Sequence, residues 1–252
     1  MSGRRELEGR VALVTGSARN IGRAIALELA AAGAAVVING RSSPAECAAV
    51  ADEIVAGGGH ATFVIADVTV EEDVARLVEA ARRDFGRLDI LVNNAAVRRE
   101  APFADLDYRQ WREVMATILD AAYLCAHAAL PHLLASGAGA IVNMGGMSAH
   151  TGAKNRAHVV AAKTGLVGLT RALAHDLASS HVTVNCVVPG MIDTVRGRTA
   201  AQNPDHHKDH APLVGRRGRP EEVAKLVRYL AGPDARYVTG QTIHANGGVF
   251  MP

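Results

Sequence analysis

Short runs of β-branched residues alternate with Ala- and Leu-rich stretches along almost the whole chain, and this alternation restricts the possible fold more than any other feature. The predicted strands are Val11–Val14, Ala35–Asn39, Thr62–Ala66, Ile90–Val92, Ala140–Asn143, Thr183–Val187 and Gln241–His244. The predicted helices are Ile21–Ala32, Pro44–Ala56, Glu71–Phe85, Tyr108–Ala135, Ala157–Ser179 and Glu221–Ala231. Apolar strands that alternate with helices are typical of a parallel sheet covered on both faces. With right-handed crossovers, the prediction is an α/β fold of Rossmann type, a single doubly wound sheet whose ligand crevice lies at the carboxyl ends of the strands.

The domain organisation is predicted to be equally simple. The 252 residues contain no internal repeat, low-complexity tract or linker, so residues 1–252 are expected to form one domain. One long break in the pattern, about 191–219, is rich in Arg, His, Pro and Gly. A loop of that length in a compact domain usually serves as a lid or binding loop.

Charge and cysteine content exclude several classes of protein. The net charge is only +2 and no block of like charges occurs, which argues against nucleic acid or a membrane surface as a partner. No apolar run approaches the roughly 18 residues that a membrane-spanning helix needs. The three cysteines are odd in number and lack CxxC spacing, which favours a reduced, cytoplasmic protein without a zinc ribbon. His206, His207 and His210 have metal-like spacing, but a hydrophilic loop is a poor preformed site, and no metal is predicted.

The loop after the first strand has the composition of a phosphate-binding turn. Its sequence is Thr15-Gly16-Ser17-Ala18-Arg19-Asn20-Ile21-Gly22. Glycines let the backbone approach a pyrophosphate, which then rests on the amides that open the next helix. Asn20 occupies a place where glycine is usual, and asparagine tolerates a positive φ better than most residues.

Four further segments, together with this loop, resemble the short-chain dehydrogenase/reductase family, in particular members of the 3-oxoacyl-ACP reductase type. These segments are Asp67-Val68, Asn93-Asn94-Ala95-Ala96, the run from Asn185 to Gly190 followed by Ile192 and Thr194, and the run from Gly240 to Gly248. The resemblance covers essentially the whole chain and implies a nicotinamide cofactor. It also implies a homotetramer or homodimer built partly on the helix 157–179.

The choice of cofactor follows from charge at the end of the second strand. A carboxylate there would bind the ribose hydroxyls of NAD, whereas this chain has Arg41 and Ser42, and Arg19 approaches from the first loop. Guanidinium groups bind phosphate with paired donors, so NADP(H) is predicted in preference to NAD(H). The predicted cofactor-binding residues are Gly16, Ser17, Arg19, Asn20, Ile21, Gly22, Arg41, Ser42, Asp67, Val68, Asn94, Ala95, Lys163, Pro189, Gly190, Ile192 and Thr194.

The family's proton-transfer residues are mostly replaced. In the family a Tyr acts as acid or base, a Lys lowers the pKa of that phenol, a Ser holds the substrate oxygen and an Asn anchors a water relay. The corresponding positions here hold Val159, Lys163, Gly146 and Ile118. Only Lys163 remains, and the resemblance gives it a second role as a ligand of the nicotinamide ribose.

Several neighbouring side chains are candidates to compensate. Ser148 lies two residues beyond Gly146 in a predicted loop, where it is either a turn residue or a substitute hydroxyl, and we predict that it acts with Lys163 in catalysis. His158 precedes Val159 but is expected to point about 100° away on the helix. His150 is expected to be a surface or pocket-wall group. The arginines at positions 98, 99, 196 and 198 could attract an acidic substrate, or could be ordinary solvated charges.

Three functional hypotheses follow. The first is an NADP(H)-dependent oxidoreductase of a small carbonyl or alcohol substrate, with a rearranged proton donor or a water held by Lys163. The second is a cofactor-binding homologue without redox turnover, acting as a sensor or as a partner subunit. The third is a lyase or isomerase that uses the same pocket.

Overall fold

All seven strands in the described part of the chain join one parallel sheet. The structure is a computed structural model and describes residues 5–195 and 211–252. The strands are β1 Val11–Val14, β2 Ala35–Gly40, β3 His60–Ile65, β4 Ile90–Asn93, β5 Ala140–Met144, β6 Thr183–Pro189 and β7 Thr242–Ala245, in the order β3-β2-β1-β4-β5-β6-β7. The order reverses beside β1, which pairs with both β2 and β4. The prediction of a doubly wound parallel sheet is therefore confirmed.

Helices cover both faces of this sheet. They are α1 Asn20–Ala31, α2 Pro44–Ala56, α3 Glu71–Phe85, α4 Tyr108–Met115, α5 Ala121–Ala135, α6 Ser148–Thr151, α7 Ala157–Leu177 and α8 Pro220–Ala231. One apolar core forms where α1, α2 and α8 pack on the sheet, and a second forms beneath α3, α5 and α7. The strand residues alternate between these two cores, as in any sheet buried on both faces.

Two predicted elements differ in detail from the structure. The predicted long helix 108–135 contains a π-helical turn at Ala116–Asp120 between α4 and α5. The predicted loop that follows β5 contains the short helix α6, which begins at Ser148. Neither feature has a strong sequence signal, because a π-turn preserves the apolar character of the helix and a four-residue helix is shorter than one amphipathic repeat.

The same long helix contradicts the expectation that no segment is long and apolar enough to span a membrane. Tyr108–Ala135 is 28 residues long, and by length and composition it is apolar enough to cross a membrane. However, Cys125, Ala126, Ala129 and Leu133 of α5 are buried in the core that α5 shares with α3 and the sheet. A core helix of a globular domain passes the same test, so we assign this helix to the domain interior.

Candidate active site

Two adjoining cavities lie at the carboxyl edge of the sheet, where parallel doubly wound sheets bind their ligands. One of about 540 Å³ lies beside β1 and β2, and one of about 470 Å³ lies between β4, β5, β6 and α7. Six described residues line both cavities: Ile21, Asn94, Ala96, Val97, Arg98 and Arg99. The two cavities therefore form one continuous cleft, and we call them the nucleotide cavity and the Lys163 cavity.

The loop between β1 and α1 has a shape that requires its glycines. Gly16 has φ 62°, and a Cβ on Gly22 would lie 2.4 Å from the Gly16 carbonyl oxygen. Asn20 has φ 54°, so the predicted asparagine in a positive-φ position is confirmed. Its side chain also makes two hydrogen bonds to the backbone of Val195, each 2.9 Å long. This pair of bonds fixes the start of the 191–219 segment over the loop.

Ser17 holds the loop in place and does not line the cleft, in contrast to its predicted role in cofactor binding. Its side chain is fully buried, and its hydroxyl donates to the Val14 carbonyl at 2.7 Å. The same hydroxyl oxygen accepts a hydrogen bond from the Asn39 amide. The Asn39 carboxamide in turn accepts from the Gly16 amide at 3.1 Å, so β2 supports the loop from below.

The other predicted cofactor residues all line the cleft. Those of the nucleotide cavity are Gly16, Arg19, Asn20, Ile21, Gly22, Arg41, Ser42, Asp67, Val68, Asn94 and Ala95. Those of the Lys163 cavity are Lys163, Pro189, Gly190, Ile192 and Thr194. The structure thus brings together side chains from five separate strand ends.

Sequence reasoning missed an acidic residue in the nucleotide cavity. Glu46, in the first turn of α2, lines the cavity together with Arg19 and Arg41. The sequence signal was available, because acids are common in the first turn of a helix. Its carboxylate lies on the helix rather than at the strand end, where an NAD-type carboxylate is expected.

Lys163 is buried at the inner wall of its cavity. It is only 8% exposed, and its ammonium donates a hydrogen bond to the Met144 carbonyl at the end of β5. Burial, with a smaller contribution from the charges of Arg156 and Arg98, lowers the pKa of Lys163 to about 8, and Cys186 opposes this shift. Burial also raises the pKa of the Cys186 thiol to about 11, so the sulfur stays protonated. Lys163 is therefore an acid of intermediate strength held beside the cleft.

The 191–219 segment is described only at its two ends, which lie side by side. Ile192 pairs with Gly218, and Arg217 forms an ion pair of 2.6 Å with Asp193. Arg196, Arg198 and the histidines 206, 207 and 210 lie outside the described residues. Among the residues that are described, no cluster of three or more His, Cys, Asp or Glu side chains could hold a metal ion.

Comparisons with known proteins agree with this geometry. The family described as enoyl-(acyl carrier protein) reductase matches residues 16–250. A short-chain dehydrogenase/reductase double mutant from Serratia marcescens has a TM-score of 0.90 and 35% identity, covering 97% of this chain and 99% of that one. The chain belongs to the short-chain dehydrogenase/reductase family.

Relatives and solved structures in this family span essentially the same length. The 3-oxoacyl-[acyl-carrier-protein] reductase of Synechocystis is 40% identical over 246 residues, which is 97% of this chain and 98% of that protein. A short-chain dehydrogenase of Burkholderia cenocepacia, solved in complex with NADP, has a TM-score of 0.90 and 34% identity, covering 97% of this chain and 99% of that one. The chain therefore has the fold and sequence of short-chain dehydrogenase/reductase oxidoreductases, a family that binds a nucleotide cofactor.

The positions at which the sequence predicts replaced family residues differ in their surroundings. Ile118 and Val159 are 2% and 3% exposed and pack in one apolar cluster with Val114, Ala162 and Leu166. Val159 also lines the Lys163 cavity. Gly146 lines it too, and a Cβ there would lie 3.7 Å from the Lys163 Cγ, an ordinary contact distance. Positions 118 and 159 thus belong to an apolar cluster, whereas position 146 faces the open space of the cavity.

His158 is not turned away from the cavity, contrary to expectation. It is fully buried, yet it contributes to the wall of the Lys163 cavity. Burial lowers the pKa of His158, while a hydrogen bond with the Arg156 backbone opposes this shift. The expectation failed because the cavity wraps around the first turn of α7 and so contacts more than one face of the helix.

Ser148 and His150 lie on α6, at different distances from the cleft. Ser148 is 6% exposed and lines the Lys163 cavity. His150 instead packs against His244, with ring centroids 4.6 Å apart, and against Phe250. Of these two side chains, Ser148 alone lines the Lys163 cavity.

Proposed function

We propose that the protein is an NADP(H)-dependent oxidoreductase that interconverts a small carbonyl compound and its alcohol in the Lys163 cavity. The supporting observation is that this cavity is continuous with the nucleotide cavity and contains a buried ammonium group at its inner wall. Hydride transfer to a carbonyl also needs a proton for the developing alkoxide. The nucleotide cavity would hold the hydride-carrying cofactor, and the Lys163 ammonium would provide the proton.

The residues of the cleft fit a dinucleotide. The glycine loop and the amides of α1 would hold the pyrophosphate, and the segment from Pro189 to Thr194 would hold the nicotinamide end. A bound nicotinamide cofactor supplies or accepts the hydride. Lys163 would orient the ribose through those ammonium hydrogens that the Met144 carbonyl does not use.

We assign the proton donor for the reduction to Lys163 and a positioning role to Ser148. An ammonium group with a pKa of about 8 is a much stronger acid than the alcohol that forms, so proton transfer to the alkoxide is downhill. The Ser148 hydroxyl would donate a hydrogen bond to the substrate oxygen, the role of the serine that Gly146 replaces. The reverse reaction, alcohol oxidation, would need Lys163 in its neutral form.

This assignment predicts a pH dependence. For carbonyl reduction at saturating NADPH, kcat/KM should be level below pH 8 and fall about tenfold per pH unit above it, because the protonated form of Lys163 is required. For alcohol oxidation, kcat/KM should instead rise with pH up to about pH 8 and stay level above it, because this direction needs neutral Lys163. Initial rates across pH 6–10 test this, and a reduction rate that stays level to pH 10 would exclude Lys163 as the donor.

The proposal also includes the preference for NADP(H). Arg19 and Arg41 line the nucleotide cavity and both are exposed at its rim, where a 2′-phosphate would lie. Arg41→Ala should weaken NADPH binding about 10–100-fold and NADH binding less than threefold, since a charge-assisted hydrogen bond contributes about 1.5–3 kcal/mol. Calorimetric titration with both cofactors provides the measurement.

Arg23→Ala is the matched control for this titration. Arg23 lies on α1 and pairs with Glu53 outside the cleft, so its removal should change neither affinity. Equal thermal shifts of the unmodified protein with NADPH and NADH would contradict the roles of Arg19 and Arg41.

A second candidate function is that of a cofactor-binding protein without redox turnover. It is favoured by the close packing of Ile118 and Val159, which fills relay positions with apolar side chains. A screen for NADPH oxidation across aldehydes, ketones and oxo acids separates the two candidates. Tight NADPH binding without oxidation by any of these compounds would favour the second.

We also propose that the protein assembles as a homotetramer or homodimer through α7. Support comes from the outer face of this helix, where Thr164, Gly168 and Ala172 are exposed and a Cβ on Gly168 would meet nothing within 4 Å. Small residues on a helix face allow a second helix to approach closely. Sedimentation analysis of the purified protein gives the oligomeric state.

A further inference from the structure

The segment 192–195 connects the two cavities of the cleft. It comes shortly after β6, and Ile192 and Thr194 line the Lys163 cavity, whereas Val195 lines the nucleotide cavity. One end of the segment is held by the backbone bridge between Ile192 and Gly218. A dinucleotide that occupies both cavities would therefore pass beside this segment.

The other end of the segment is held by a side chain from the β1–α1 loop. The Asn20 carboxamide donates a hydrogen bond to the Val195 carbonyl and accepts one from the Val195 amide, each 2.9 Å long. Apolar packing contributes little, because the Val195 side chain is 82% exposed. A carboxamide has both donors and an acceptor, so it can pair with the amide and the carbonyl of one residue at once. Asn20 thus links two parts of the cleft that are 175 residues apart in the sequence.

Asn20 has a backbone conformation that glycine would adopt more easily. Its φ of 54° lies in the left-handed region, where most residues other than glycine are strained. Glycine would form the turn with less strain, but it has no side chain that could reach Val195. Residues in such conformations persist where the surrounding structure holds them, and they cluster at functional sites. The contact with Val195, rather than the turn itself, therefore accounts for an asparagine at this position.

We propose that Asn20 is a positioning residue for the nicotinamide half of the cofactor and that it acts through Val195. By holding the segment 192–195 against the β1–α1 loop, its carboxamide keeps Ile192 and Thr194 in the wall of the Lys163 cavity, where the nicotinamide end would bind. The loop and the segment would then form one preformed cradle, which lowers the ordering cost of binding. The inference rests on the proposed NADP(H)-dependent function and gives Asn20 a task beyond the pyrophosphate loop.

Asn20→Gly tests this proposal, because it removes the contact and leaves a residue that accepts the positive φ readily. The Kd of NADPH should rise about 10–30-fold, as expected for the loss of two hydrogen bonds of ordinary net strength. Adenosine 2′,5′-bisphosphate lacks the nicotinamide half and would occupy only the nucleotide cavity. Its Kd should therefore change less than about twofold. Calorimetric titration of both proteins with the two ligands provides the measurement.

Asn155→Gly is the matched control for this substitution. Asn155 has φ 62°, so the chemical change and the backbone conformation are the same, but this residue lines neither cavity. Its carbonyl accepts a hydrogen bond from the Ala101 amide, which glycine preserves. The control should bind both ligands with unchanged Kd values. Thermal unfolding without ligand should show that both variants are folded.

The comparison of the two ligands separates a positioning role from a local structural role. If Asn20→Gly weakens NADPH and adenosine 2′,5′-bisphosphate equally, Asn20 supports only the β1–α1 loop, and the inference is wrong although the NADP(H) proposal stands. An unchanged Kd of NADPH in this variant would overturn the inference in the same way. If the unmodified protein does not bind NADPH at all, both the inference and the proposed function fail.

Discussion

Replacing Lys163 by methionine is expected to lower kcat/KM for carbonyl reduction about 10²–10⁴-fold, the range that a positioned acid contributes. Methionine has a similar length and fills the same space, but it has no proton and no hydrogen-bond donor. The loss should appear in kcat and leave KM nearly unchanged, because the proton is transferred only in the transition state. Steady-state rates at saturating NADPH provide the measurement.

The same substitution should stabilise the folded protein. The pKa of Lys163 is about 8 in the fold and 10.5 in the absence of a shift. The native state therefore disfavours the charged form by about 3 kcal/mol, at about 1.4 kcal/mol per pH unit. The Met144 carbonyl loses a donor in the variant, which offsets about 1–2 kcal/mol of the gain. The net expectation at pH 7 is a free energy of unfolding about 1–2 kcal/mol higher.

The pH dependence of this gain has a definite sign. Below pH 8 Lys163 is protonated in both states, so the native protein bears the full desolvation penalty. Between pH 8 and 10.5 the unfolded state binds more protons, so the stability of the unmodified protein rises with pH. The advantage of the variant should therefore shrink through this window.

Urea unfolding of both proteins at pH 7 and pH 10 tests the sign. Lys225→Met, at an exposed position on α8, is the control and should alter neither activity nor stability appreciably. Loss of stability in Lys163→Met together with unchanged kcat/KM would contradict both the burial argument and the catalytic assignment. Gain of stability with loss of activity is the pattern expected of a functional group held in an unfavourable environment.

Most of the fold could be predicted because its determinants are local. Apolar strands of four to seven residues separated by amphipathic helices fix a parallel sheet, and glycine spacing fixes the loop after β1. A positive φ could be expected at Asn20 because it occupies a place in the loop where glycine is usual and asparagine tolerates this conformation. In contrast, the role of Ser17 depends on Asn39, which is 22 residues away and meets it only after β1 and β2 pair.

Features of the cavity walls could not be predicted, because they too depend on residues that are far apart in the sequence. Helical periodicity gives the direction of His158 relative to Val159, but not how far the cavity wraps around the helix start. Glu46 reaches the nucleotide cavity from the first turn of α2 rather than from the end of β2, so its place there depends on how α2 packs on the sheet. Distances between separate elements, and thus the surroundings of a side chain, require the assembled fold.

Ile118 and Val159 belong to one apolar cluster, and for this reason we expect the family's proton relay to return only as a set. A tyrosine in place of Val159 would replace a side chain shared by this apolar cluster and the wall of the Lys163 cavity, with no polar group from position 118 or 146 to bind its hydroxyl. Inserting a larger side chain into a packed core usually costs about 1–3 kcal/mol. A buried hydroxyl without a partner costs more. We therefore expect substitutions at the three positions to be interdependent.

Val159→Tyr alone should accordingly raise reductase kcat/KM less than tenfold and lower the free energy of unfolding. The triple variant Ile118→Asn, Gly146→Ser and Val159→Tyr should raise kcat/KM about 10²–10⁴-fold over the unmodified protein, the contribution of a positioned acid. Its added groups satisfy one another, and a Cβ added at Gly146 has room beside Lys163. Rates with the same carbonyl panel and urea unfolding of each variant are the measurements.

Gly146→Ser alone serves as the folding control, because its Cβ would make only an ordinary contact of 3.7 Å with the Lys163 Cγ. It should preserve stability and change activity little. A large gain from Val159→Tyr alone would show that the apolar cluster yields to the phenol, and that a single substitution suffices to restore the relay. If the triple variant has a lower kcat/KM than Val159→Tyr alone, the three positions do not act together. The proton transfer would then remain assigned to Lys163 with Ser148.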